Sequence, residues 1–134
     1  MESAVFSLTM AVRDYECDLQ GVVNNAVYQN YLEHARHEYL KSIGIDFAAL
    51  AARKINLVVV RAEIDYKVSL TSGDAFVVEL RPEQLSPVRI GFHQEIYRLP
   101  DRKLAIKALV TGTALNERGR PQVLPELAER MGGL

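Results

Sequence analysis

The chain has 134 residues, enough for one domain with its own hydrophobic core and too few to expect two. Its 16 basic and 17 acidic side chains are mixed along the sequence and leave a formal net charge of -1, so no basic face or tail points to nucleic acid or to an anionic membrane. Cys17 is the only cysteine, which excludes an internal disulfide and a CxxC site and fits a reducing, cytoplasmic setting; no basic leader with an apolar core opens the chain, and no apolar run is long enough to span a membrane.

In chain order, residues 4–12, AVFSLTMAV, come first. Val5, Ser7, Thr9 and Ala11 share one face and Phe6, Leu8, Met10 and Val12 the other, the period-two mark of a half-buried strand. Over 26–43 the apolar positions Val27, Tyr28, Tyr31, Leu32, Ala35, Tyr39, Leu40 and Ile43 recur at spacings of three and four, which predicts an amphipathic helix. Asn24 or Asn25 can cap its start, and Gly44 can end it in the left-handed conformation. At 1.5 Å per residue it should run roughly 25 Å, about the width of a small domain, and so suits a central position.

Phe47 to Ala52 adds a turn or two of helix. Four strand-like segments follow: INLVVVRAEIDYKV, DAFVVELRPEQL, VRIGFHQEIYRL and KLAIKALVTGTALN, separated by TSGD, SP and PDRK, each with the glycine, proline or aspartate that turns require. The tail LPELAERMGGL is expected to form a last helical turn and then fray. There is no internal repeat, low-complexity tract or linker, so residues 1–134 read as a single domain. One long helix followed by an antiparallel sheet of about five strands, long enough to wrap it, is an α+β arrangement, of which the hotdog fold is the best-known instance.

The segment VRDYECDLQGVVNNAVYQNYLEHARHEYLKSIGI resembles the leading segment of hotdog thioesterases of the 4-hydroxybenzoyl-CoA thioesterase type. It is most similar to the branch containing the plant acyl-lipid thioesterases and methylketone synthase 2. The family pattern of an aspartate, three residues and then a short motif opening the helix matches from Asp18 through Asn25; a second signature, a tyrosine followed by a glycine-aspartate that opens a strand, reappears as Tyr66 and Gly73-Asp74. Two positions depart from it: Val22 stands where histidine is frequent, and Ser69 where proline is. The resemblance implies a catalytic carboxylate at Asp18, a polarising backbone N–H at Asn25, and substrate contacts from Gly21, Val22, Val23, Asn24, Tyr28 and Tyr31. It also implies a homodimer or homotetramer with each active site built between subunits, and no metal or organic cofactor.

Elementary chemistry gives the motif a reason of its own. A thioester carbonyl needs a nucleophile or base beside it and hydrogen-bond donors aimed at the oxyanion that develops. The unpaired N–H groups and positive dipole end of a helix N-terminus supply such donors. Gly21 permits the tight path that lets Asp18 face the helix opening. Asp18 then either attacks to form a mixed anhydride or activates water.

Each residue also has a plainer role. An aspartate before a glycine forms turns, and asparagines cap helices. Glu33 is the second candidate carboxylate, since another hotdog branch uses a helix glutamate, although its spacing to Arg36 and His37 also fits a salt-bridge partner. Cys17 with His34 or His37 as base is a weaker arrangement, because Cys17 and Asp18 are neighbours on an extended chain and point to opposite faces. The helix histidines and glutamates lack the spacing and third ligand of a metal site.

The resemblance implies hydrolysis of fatty acyl-CoA or acyl-carrier-protein thioesters, 3-oxoacyl chains among them, to free acid and thiol. A non-catalytic acyl-binding hotdog protein and a hotdog hydratase or dehydratase are the alternatives; the latter class usually pairs its aspartate with a histidine in motifs that do not occur here.

Overall fold

The alternation of residues 4–12 becomes strand β1, Phe6–Ala11, in the computed structural model of the chain, which describes residue 1 and residues 3–131. Phe6, Leu8 and Met10 turn toward the core while Ser7, Thr9 and Ala11 are exposed. Helix α1 spans Asn25–Ser42, and the Asn24 side chain accepts the Ala26 N–H at 2.9 Å as its N-cap. Past its end Gly44 adopts φ +86°, a conformation that a side chain would strain. Helix α2, Phe47–Ala52, starts on Asp46, whose Oδ1 accepts the N–H groups of Ala48 and Ala49.

The four predicted segments form β2 (Asn56–Tyr66), β3 (Ala75–Ser86), β4 (Arg89–Arg98) and β5 (Lys103–Leu115). A two-residue strand, β6 (Pro121–Gln122), and a short turn of 3-10 helix at Asp14–Glu16 join them without a sequence signal of their own. The tail supplies helix α3, Pro125–Arg130, with a proline in its first turn; the fraying expected at 132–134 lies outside the described residues.

Every strand pairing is antiparallel, in the order β1-β3-β4-β5-β2, with β6 added to β5. The sheet thus has six strands where about five were expected, the sixth being the two-residue β6. β1 and β2 are its long edges. The register aligns Val78, Ile96 and Ile106 across β3, β4 and β5 on one face, and Leu80, Gln94 and Ala108 beside them. α1 lies along this face. Pro82 lacks an N–H but sits beyond Phe6↔Leu80, where pairing with β1 has ended, so no ladder bond is lost on that side.

The core divides along α1. Near its start Tyr28, Tyr31, Leu32 and Ala35 pack on Phe76, Val78, Ile96 and Ile106; near its end Tyr39 and Leu40 pack on Leu80, Ile90 and Phe92 together with Leu50 of α2 and Leu127 of α3. Each fully buried large apolar side chain contributes about 1.5–3 kcal/mol. Between the two clusters, in the inward stripe Ile90, Phe92, Gln94, Ile96 of β4, stands one polar residue: Gln94, which is 0% exposed.

Candidate active site

Residues 13–24 fold back on themselves before the helix begins. Glu16 is buried, and its Oε1 accepts both the Arg13 N–H and the Tyr31 hydroxyl at 2.8 Å, with the Arg13 guanidinium 3.6 Å from the other oxygen. This ties the loop to the second turn of α1. Burial, and then the bond to Glu16, push the Tyr31 phenol well above its ordinary pKa. One strand step on, Cys17 pairs across from Val23, and Val22 pairs with Thr71.

Between them the chain reverses. The Asp18 N–H donates to Val22 O at 2.9 Å, the Gly21 N–H donates to Asp18 O at 3.0 Å, and Gly21 takes φ +80°, which only glycine adopts without strain. The Asp18 side chain is exposed at this tip, where its Oδ1 accepts the N–H groups of Gln20 at 2.8 Å and Val22 at 3.4 Å. Its neighbour Leu19 is fully exposed. The residue is therefore a turn-former and, with its second oxygen free of any hydrogen bond among the described residues, an accessible carboxylate at the same time.

Val23 is buried and donates its N–H to Leu70 O at 2.9 Å, Asn24 caps, and the Asn25 N–H, the first of the helix, meets no acceptor among the described residues. Gly21, Asn24 and Asn25 are exposed and Val22 is half-buried, so Asp18 through Asn25 form one turn that runs into one helix start. Tyr28 and Tyr31 stand behind it in the core. The Tyr28 hydroxyl accepts the Leu70 N–H at 2.9 Å; burial raises its pKa and that N–H opposes the rise.

A cavity of about 860 Å³ lies toward the other end of α1, between α1, α2, α3 and the inner face of the sheet. Its walls are mainly apolar, including Leu40, Phe47, Leu50, Ile90, Phe92 and Leu127. Tyr28 and Tyr31 do not line it. From α1 it receives Glu33, Arg36 and His37, whose ring lies 5.2 Å from that of Phe47. Of the two candidate carboxylates, Glu33 borders this cavity and Asp18 does not.

Glu33 makes no ion pair with Arg36 among the described residues, against the salt bridge that the three-residue spacing allows. Arg36 is instead drawn inward, 9% exposed, and its Nη1 donates to Gln94 Oε1 at 3.1 Å. Burial lowers the Arg36 pKa while the Glu33 charge opposes the change. Sequence reasoning missed this pair. Two signals carried it: a glutamine at an inward position of an otherwise apolar strand stripe, and an arginine four residues from both Leu32 and Leu40 inside the helix stripe. Among the described residues no group of three or more His, Cys, Asp or Glu side chains gathers to hold a metal ion.

A capped long helix laid along one face of an antiparallel sheet, with a carboxylate-bearing turn leading into its N-terminus, is the hotdog fold. The chain belongs to the Thioesterase-like superfamily, whose model matches residues 12–131. It is 41% identical over 118 residues to the acyl-acyl carrier protein thioesterase ATL2, chloroplastic, of Arabidopsis thaliana, covering 88% of this chain and 63% of that protein. To ATL3 of the same plant it is 39% identical over 123 residues, covering 92% and 65%. The chain thus spans just under two thirds of the length of these curated relatives. Among solved structures, a 1,4-dihydroxy-2-naphthoyl-CoA thioesterase from Synechocystis shares the fold with a TM-score of 0.90 at 21% identity over 96% of each chain. No helix among the described residues is long and apolar enough to cross a membrane.

Proposed function

We propose that the protein hydrolyses fatty acyl-CoA or acyl-carrier-protein thioesters to free acid and thiol as a single hotdog domain, with Asp18 as nucleophile or general base and the Asn25 N–H as oxyanion donor. The observation that supports this is an accessible carboxylate in the turn leading into α1, together with a backbone N–H in the first turn of that helix that meets no acceptor among the described residues; acyl transfer needs groups of these two kinds. The apolar cavity beside α1 has the size of a small-molecule site and receives the acyl chain. Similarity to proteins named acyl-acyl carrier protein thioesterases supports the substrate class. A chain with one half-buried cysteine and no need of disulfides suits the cytoplasm.

The site is completed by a second copy, in a homodimer or homotetramer. β2 is an edge strand of eleven residues with Val59 50%, Val60 44% and Tyr66 46% exposed, and Asn56 to Val59 of the same strand form part of the cavity wall. The apolar stretch of this edge, Leu57 to Val60, invites pairing with its own kind. In this reading the pairing covers the cavity rim that Asn56 to Val59 help to form, and the carboxylate that the cavity lacks from its own Asp18 comes from the second copy. A second assignment draws on a specific observation: Glu33 borders the cavity within one protomer, so the helix glutamate is the carboxylate to test against Asp18.

The test is thiol release across acetyl to hexadecanoyl thioesters of coenzyme A and of acyl carrier protein, with light scattering on the same samples. The specificity constant is expected to rise with chain length, by up to about fourfold for each methylene buried at about 0.8 kcal/mol, until the cavity is filled. A constant that stays flat from acetyl to dodecanoyl refutes an acyl-binding cavity, and full activity in a species of only 15 kDa refutes the shared site.

A further inference from the structure

Arg36 shares the lining of the cavity with Glu33, and the two form no ion pair among the described residues. Arg36 stands one turn after Leu32 and one turn before Leu40, within the inward stripe of α1, and lines the cavity wall. Its Nη1 donates to Gln94 Oε1 at 3.1 Å, and Gln94 donates Nε2 to Leu32 O at 2.9 Å. These two bonds fix the amide, because turning it over sets an NH₂ against the guanidinium and an oxygen against a carbonyl. Gln94 therefore orients Arg36 and cannot neutralise it.

No carboxylate of the described residues forms an ion pair with Arg36. Glu33, one turn back on the same helix, is exposed and acts on it only through its charge. The guanidinium keeps further N–H donors beyond the one Gln94 uses, and these are not walled off: the only buried side-chain nitrogen without a partner among the described residues is Arg81 Nε. Since Arg36 is almost wholly covered by protein yet lines the cavity, its spare donors are reached from that space.

Buried charges persist where something pairs with them. The alkyl chain of a fatty acyl thioester carries no charge, and a 3-oxoacyl chain adds only a neutral acceptor; the carboxylate formed by hydrolysis carries both a charge and two acceptor oxygens, which fit the guanidinium fork. We propose that this cavity binds a free long-chain carboxylic acid, its carboxylate on Arg36 and its chain along the wall formed by Leu40, Phe47, Leu50 and Leu127. The released acid is then a product inhibitor. The assignment rests on the cavity being the acyl pocket proposed above.

The experiment is calorimetric titration of the wild-type protein with dodecanoate and with dodecan-1-ol, the neutral chain of equal length, at neutral pH and below the concentration at which either aggregates. Dodecanoate is expected to bind at least about tenfold more tightly, the gain of one charge-assisted hydrogen-bonded pair, and to inhibit thiol release at about tenfold lower concentration than methyl dodecanoate. Arg36→Met is expected to bind the alcohol as before and to lose the preference for the acid, and Arg36→Lys, which keeps the charge without the fork, to recover part of it. Equal affinity of wild type for acid and alcohol overturns the role of Arg36 while sparing the acyl pocket. Failure of both ligands to bind overturns the pocket itself, and both of these outcomes are read on the wild-type protein, with no variant that must fold.

Discussion

Replacing Asp18 by asparagine separates charge from shape. In the native turn Oδ1 accepts the N–H groups of Gln20 and Val22, and the amide oxygen of asparagine can accept both, so the reversal at Gly21 and the helix start behind it keep their hydrogen bonds. The other oxygen has no protein partner among the described residues and the side chain is exposed, so nothing buried is orphaned. The stability change should stay within about 0.5 kcal/mol, as for ordinary surface substitutions. For a chain of 134 residues that is a shift in Tm of about 2 °C. The effect on rate is of another order. Losing the carboxylate that attacks or activates water should lower kcat at least about a hundredfold, or about 2.7 kcal/mol of barrier. Thiol release from a dodecanoyl thioester, run beside a thermal melt, reads both. Glu33→Gln, at an exposed residue with no ion pair among the described residues, should cost less than about tenfold, and Cys17→Ser should be nearly silent. If folded Asp18→Asn turns over like wild type while Glu33→Gln is dead, the reacting carboxylate is the one on the helix and the reasoning from the turn fails.

Tyr31→Phe removes the hydroxyl that donates to buried Glu16 and should cost about 1.5–3 kcal/mol, the range for hydrogen bonds to charged groups. That lowers Tm by about 5–11 °C; an unchanged melt means Arg13 alone holds the loop. Alkaline pH should destabilise the protein in a defined window. Burial raises the phenols of Tyr28, Tyr31 and Tyr39, so the folded state keeps protons that the unfolded chain begins to lose near pH 10. Their contribution is fully present below about pH 10 and declines above it, by up to about 1.4 kcal/mol per pH unit for each such tyrosine. Tyr97, pushed up to about 12 by burial and by its bond to Glu95, adds to the same window. Denaturant unfolding at pH 8, 10 and 11 checks the sign: stability level to pH 11 contradicts it.

The elements were legible where periodicity was strong. The helix stripe from Val27 to Ile43 and the alternation of Phe6, Leu8 and Met10 each followed from which face meets the core, and Asn24 and Gly44 marked the helix ends because capping and left-handed backbone are local chemistry. β6 was not legible, since two residues have no period and their pairing depends on where β5 happens to lie. The turn at Asp18 was readable from Gly21 and the cap. The cavity was not, because its walls come from α1, α2, α3 and every strand from β2 to β6, residues distant in sequence that only the complete fold brings together. Periodicity says that Tyr28 and Tyr31 face inward, not whether protein or empty space awaits them there, and in this fold protein packs against both. Arg36 shows the converse, a charge that composition assigns to the surface and that Gln94 draws into the core.

Helix α3 closes the cavity with Leu127 and Ala128 and is moored at two points, by Arg53 to Glu126 at 2.9 Å and by Arg130 Nη1 to Gly44 O at 2.5 Å. Gly44 serves the second mooring as well as the end of α1, for a Cβ there would stand 3.3 Å from the Arg130 guanidinium. The piece that closes this side of the cavity is therefore held by charged side chains at its ends and by Leu127 in the core, far along the chain from Asp18. Under the proposed activity, the ruler that measures an acyl chain and the blade that cuts it are encoded at opposite ends of the sequence. A lineage can recut the ruler, residue by residue on α3, and change which acid it makes while the cutting edge is inherited untouched.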